Sequence, residues 1–148
     1  MTNKPNFFSN ADAGATLNIT DEAEACAAVL LACRRADEIN ADAENAAFVT
    51  SIKSRNIFIG YDPVALIETA NRYYEQAGSA EALINAVMGA IRDQTRLPLF
   101  YHCLDVILAN GVVTPEEHKV FQYLKGKFRI NDELAWKGME VLVAKNQL

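Results

Sequence analysis

The sequence predicts an all-α fold: a compact single domain of about seven helices over residues 20–148, behind a flexible N-terminal lead-in, residues 1–19. Three observations carry that expectation. No stretch sustains the two-residue alternation of a half-buried strand. Apolar residues recur instead at three- and four-residue spacing, as in Leu83, Ile84, Val87, Met88 and Ile91. The periodic runs are also separated by helix punctuation, with capping residues ahead of the starts and glycine or proline at the junctions.

The elements follow in order. The lead-in mixes Asn, Ser, Gly and Ala, and its Phe7-Phe8 pair is expected to pack against the domain. Thr20 is the expected N-cap of the first helix, with Asp21, Glu22 and Glu24 loading its first turn with negative charge. That helix runs to about Ala36, and its high apolar content predicts a central position. A second helix is expected from about Ala41 to Arg55. Asp62-Pro63 is a cap followed by proline at the first helical position, which opens the third helix; Gly78 ends it. Ser79 caps the fourth. Thr95 is the expected start of the fifth, placing Pro98 in its first turn and Leu99, Cys103, Val106 and Ile107 on its apolar stripe. Thr114-Pro115-Glu116-Glu117 is a capping box that opens the sixth helix, which ends near Phe128. Asn131-Asp132-Glu133 starts the seventh.

Composition removes several function classes. A chain of 148 residues can bury roughly 70% of its unfolded surface, so it needs no disulfide or metal to hold a core. Its formal net charge of −5 argues against a nucleic-acid partner, because binding the phosphate backbone calls for a basic surface. Cys26, Cys33 and Cys103 are an odd set without framework spacing, and read as small buried hydrophobes in a reducing compartment. The longest apolar run, Ala25 to Cys33, is far short of the ~20 residues that span a bilayer, so a cytoplasmic protein without direct membrane insertion is expected.

The turn at Ala109-Asn110-Gly111-Val112-Val113-Thr114-Pro115-Glu116-Glu117 has a faint counterpart at Ala36-Asp37-Glu38-Ile39-Asn40-Ala41-Asp42-Ala43-Glu44, about half the chain away. In each, an Asp or Asn is followed seven residues later by a Glu in the first turn of a helix. A Phe, Phe48 or Phe121, comes four residues after that Glu. The pattern predicts an internal pseudo-two-fold helix-turn-helix repeat. Two such turns facing each other would gather Asp37, Glu44, Asn110 and Glu117, an all-oxygen set suited to a divalent cation such as Ca²⁺, Mg²⁺ or Mn²⁺ rather than Zn²⁺. The competing reading is purely structural: both Glu residues cap helices and complement the dipole. The first turn is not an EF-hand, since it lacks the glycine at the sixth loop position and the closing Glu at the twelfth.

At these residues the chain resembles the TerB-like tellurite-resistance family. The family hallmark is a helix ending in Ala-Asp-Gly, a short turn, Ser or Thr, and an acidic helix start ending in Glu, present in two halves. Leu108 to Glu117 matches the second copy closely; Ala36-Asp37 and Glu44 form a degenerate first copy. The likeness extends over about Asp21 to Gln147. It implies an all-α fold of about seven helices, divalent-metal binding by the paired acidic turns, and a role in resistance to tellurite and related stress. It also implies work through protein partners, with a membrane protein among them, and no enzymatic activity. The chain departs from the pattern at three positions. Asn110 replaces the Asp of the second copy, which keeps an oxygen ligand but loses its charge. Glu38 replaces the Gly of the first, and Ala41 its Ser/Thr cap. A metal-free helical adaptor that retains the fold is therefore the alternative.

Two histidines are candidate sites. His102 and Asp105, three apart on one helix, could form a proton-transfer pair, but no nucleophile is marked beside them and a structural polar pair is favoured. His118 is expected to face water. Asp105 could also support the turn as an acceptor one helical turn back. Tyr73, Tyr74, Tyr101, Tyr123 and Trp136 are expected at the core or its edge. No glycine-rich phosphate loop, zinc-ligand spacing or nucleophile elbow is present.

Overall fold

The structure is a computed structural model describing residues 7–8, 17–37, 52–53, 55–108 and 113–148, with the backbone alone at 36–37. Among the described residues the chain is all-helical, with no strand. The α-helices are α1 (Glu22–Asp37), α2 (Pro63–Ala77), α3 (Ala80–Val87), α4 (Asp93–Ile107), α5 (Pro115–Phe128) and α6 (Asp132–Lys145). Short 3₁₀ turns occupy Asn56–Phe58 and Met88–Ala90. The chain divides into two compact units, Met1–Ala90 and Ile91–Leu148. The helix expected over 41–55 lies mostly outside the described residues; Ile52 and Lys53 are helical, and Ile52 is buried.

In the first unit α1 packs on α2 and α3. Ala25 through Val29 and Leu31 through Cys33 are almost wholly buried, so α1 is enclosed on nearly every face. This explains its weak amphipathicity: a helix apolar all round belongs in a core. Its Ala and Cys side chains are small and let neighbouring helices approach, while Val29 and Leu31 each contribute about 1.5–3 kcal/mol through burial. All three cysteines are buried thiols.

Polar bonds fix both ends of α1. At its start the cap is Asp21, not Thr20: the Glu24 amide donates to Asp21 Oδ1 at 2.9 Å. The same carboxylate accepts from the Tyr61 hydroxyl at 2.6 Å, and Glu24 accepts from Tyr73 at 2.7 Å. Asp21 displaces the expected cap because it bonds the helix amide and a tyrosine beyond the helix together. At the other end Arg35 donates to Asn71 and to Glu75 (3.0 Å) and lies over the Tyr74 ring, 4.2 Å from its centroid.

The punctuation of α2 and α3 matches the sequence reading. Asp62 accepts from the Ala65 amide with Pro63 at the first helical position, and Gly78 closes α2 at φ 88°. The buried Ser79 caps α3 by accepting from Ala82. Phe7 is also buried, and its carbonyl accepts from the Glu81 amide at 2.9 Å, satisfying a donor in the first turn of α3. Packing is thus the role of Phe7, with Phe8 edge-on against it at 4.9 Å.

In the second unit α4 packs against α5 and α6. Phe100, fully buried, lies about 6 Å from the Phe121 and Phe128 rings. The buried face of α4 comprises Leu99, Phe100, Cys103, Leu104 and Ile107; Val106 is only half-buried, at its edge. The helix opens at Asp93, two residues before the expected Thr95, with the Thr95 amide closing onto the Arg92 carbonyl at 3.0 Å. Pro98 therefore lies past the first turn and removes the bond its amide would have made to Gln94. Both residues are exposed, so water can satisfy that carbonyl. Asn131 caps α6 by accepting from the Glu133 and Leu134 amides.

Candidate functional site

The second acidic turn joins α4 to α5, and the described residues on either side of it are firmly held. On the α5 side Thr114 Oγ1 accepts from the Glu117 amide at 3.1 Å, and Glu117 Oε1 accepts from the Thr114 amide at 3.0 Å. This reciprocal pair is the capping box the sequence predicts, with Pro115 at the first helical position. It fixes the Glu117 carboxylate over the helix start and engages one of its oxygens, leaving lone pairs for a further acceptor role.

On the α4 side the end of the helix is tied to the end of α6. Asn146 Nδ2 donates to the Leu108 carbonyl at 3.2 Å and to Asp105 Oδ1 at 3.4 Å. Lys145 Nζ adds an ion pair to Asp105 at 3.1 Å. The Asn146 amide thereby satisfies a helix-end carbonyl at the entrance to the turn. Neither Lys145 nor Asn146 was singled out from the sequence; a polar residue closing the last helix was the available signal, and nothing in one sequence ties it to a carbonyl so far upstream.

The four candidate ligands differ in what can be said of them. Glu117 is positioned as above. Asp37 is the last residue of α1, described in backbone only. Glu44 and Asn110 lie outside the described residues, as do Glu38 and Ala41. Among the described residues no group of three His, Cys, Asp or Glu side chains is arranged to hold a metal, and Glu117 is the one candidate whose side chain is among them. The chemistry of the donor set, three carboxylates and a carboxamide, fits a hard cation.

Asp105 accepts from Lys145 and Asn146, a structural use of its carboxylate. His118 is exposed, its ring 5.8 Å from Trp136 and 6.2 Å from Phe121, while Phe121 and Trp136 are 4.9 Å apart. Lys125 pairs with Asp132, so the basic end of α5 also stitches it to the start of α6. Among the described residues no helix is long and apolar enough to cross a membrane.

Comparison with protein families agrees with this architecture. The family model for tellurite resistance protein TerB matches residues 23–136, about three-quarters of the chain. The chain belongs to the TerB tellurite-resistance family. No curated protein and no solved structure matches it.

Proposed function

We propose that this TerB-family protein is a non-enzymatic cytoplasmic component of the response to tellurite and metal stress. In this reading it binds a divalent cation through Asp37, Glu44, Asn110 and Glu117 and acts through protein partners, a membrane protein among them. The observation that carries the reading is the Glu117–Thr114 capping box, which holds a carboxylate at the turn with lone pairs to spare. Bracing of Leu108 by Asn146 supports it, because it fixes the chain at the entrance to the turn. Loss of charge at Asn110 predicts weaker affinity than an Asp would give. The structural use of Asp105 supports a role without catalysis. Exposed Ile59, Tyr61 and Val64 in the first unit, and Trp136 and Val141 in the second, support action through protein contacts.

The second reading, a metal-free adaptor with the same fold, is favoured by those exposed apolar residues together with the altered first turn. Calorimetric titration of chelator-treated protein with Ca²⁺, Mg²⁺ and Mn²⁺ separates the two. Saturable, stoichiometric heat supports the cation-binding protein; no heat at millimolar cation leaves the adaptor.

A further inference from the structure

We propose, on the cation-binding reading above, that Arg35 and Asn146 are matched positioning residues for the cation site. Each fixes the helix end from which a ligand-bearing turn leaves.

The two braces occupy corresponding places. The acidic turns are 73 residues apart, and so are Arg35 and Leu108. Arg35 stands two residues before Asp37, and Leu108 two before Asn110. At the end of α1, Arg35 Nη1 donates to Asn71 Oδ1 at 3.3 Å and to Glu75 Oε1 at 3.0 Å, both on α2. At the end of α4, the Leu108 carbonyl accepts from Asn146 Nδ2 at 3.2 Å, at the close of α6. Moved back by the same 73 residues, Asn146 falls on Tyr73, between Asn71 and Glu75. In each unit, therefore, the helix entering the acidic turn is tied to the same part of a later helix. Packing already joins α1 to α2 and α4 to α6. The ties add position at the helix ends, where the last carbonyls lack intrahelical partners and the chain frays.

The braces are also balanced in charge. An uncompensated arginine two residues from Asp37 would repel a bound cation. Glu75 offsets Arg35 at 3.0 Å, and the guanidinium lies over the Tyr74 ring. In the second unit Asn146 is neutral, and Asp105 offsets the neighbouring Lys145 at 3.1 Å.

The test is calorimetric titration of the chelator-treated full chain with Ca²⁺, Mg²⁺ and Mn²⁺, on the parent, Arg35→Met, Arg35→Lys and Asn146→Ala. Removing a positive charge beside a cation site would by itself tighten binding. Loss of the brace predicts the reverse: Arg35→Met and Asn146→Ala should each weaken the cation about tenfold, the lower end of what outer-shell positioning is worth at metal sites. Arg35→Lys keeps the charge beside Glu75 but not the planar fork, and should fall between Arg35→Met and the parent. Circular dichroism in chelator checks that each variant keeps the helix content of the parent. Arg35→Lys and Asn146→Ala carry the test if Arg35→Met does not fold. Unchanged affinity in Asn146→Ala, or unchanged or tighter binding in Arg35→Met, would overturn the positioning role and leave the cation site standing. A parent that binds none of the three cations at millimolar concentration would overturn both.

Discussion

Tyr101 lies across the backbone of α6 at Gly138. A Cβ built on Gly138 would come within 2.3 Å of the Tyr101 ring. The Tyr101 hydroxyl donates to the Leu134 carbonyl at 2.9 Å, the acceptor that the Gly138 amide uses within the helix. Gly138 therefore costs about 1 kcal/mol in helix propensity and in return admits an aromatic ring from α4.

Gly138→Ala should lower stability by about 1–3 kcal/mol through overpacking, net of its better propensity. In a Tyr101→Ala background the sign should reverse, with alanine at 138 stabilising by about 1 kcal/mol. Urea unfolding of the four proteins in this cycle reads the coupling. Additive effects would show that the ring does not depend on the glycine.

The positive φ at Arg129 makes a second prediction. Arg129→Gly should raise stability by about 1 kcal/mol, since glycine meets no Cβ penalty in that conformation. The melting temperature should rise by a few degrees for a chain of this size. Arg129→Gln should leave it almost unchanged, because glutamine bears the same backbone strain.

The Asp21–Tyr61 bond links stability to pH at both extremes. The Tyr61 hydroxyl, followed by the Glu24 amide, holds the Asp21 carboxyl below its usual 3.8. Its contribution is therefore present above that value and lost as pH falls through the depressed one. The same bond, followed by burial, pushes the Tyr61 hydroxyl above 10.0. That contribution is complete below 10.0 and lost as pH rises through the raised value. Tyr61→Phe should destabilise uniformly between about pH 5 and 9 and converge on the parent at each extreme. Denaturant melts within that range and beyond both its ends provide the check; a constant difference down to acid pH would contradict it.

Much of the fold was legible because its punctuation is local. Asp62-Pro63, Ser79, Thr114-Pro115-Glu116-Glu117 and Asn131 each act within three residues, and each caps the helix it precedes. The central position of α1 followed from its apolar content. Other features depend on distant partners. Asp21 replaces Thr20 as a cap with Tyr61 on its far side, and the turn after α4 is braced by Asn146. The start of α4 was misplaced because Pro98 suggested a first turn, whereas an exposed proline is tolerated one turn further in. Arg129 gave no signal, since glycine is the residue expected at a left-handed helix end.

The most direct test of the central claim is a thermal melt of chelator-treated protein with and without Ca²⁺, Mg²⁺ or Mn²⁺, run on the parent, Glu117→Gln and Glu117→Ala. Glutamine can maintain the capping box but removes the charge, whereas alanine removes both. Saturation at a hundred times the Kd should add about 2.7 kcal/mol to the parent. The account predicts a cation-dependent rise in melting temperature for the parent that shrinks sharply in Glu117→Gln and disappears in Glu117→Ala. A rise of equal size in all three proteins, or none in the parent at millimolar cation, would contradict it and leave Glu117 as a helix cap alone.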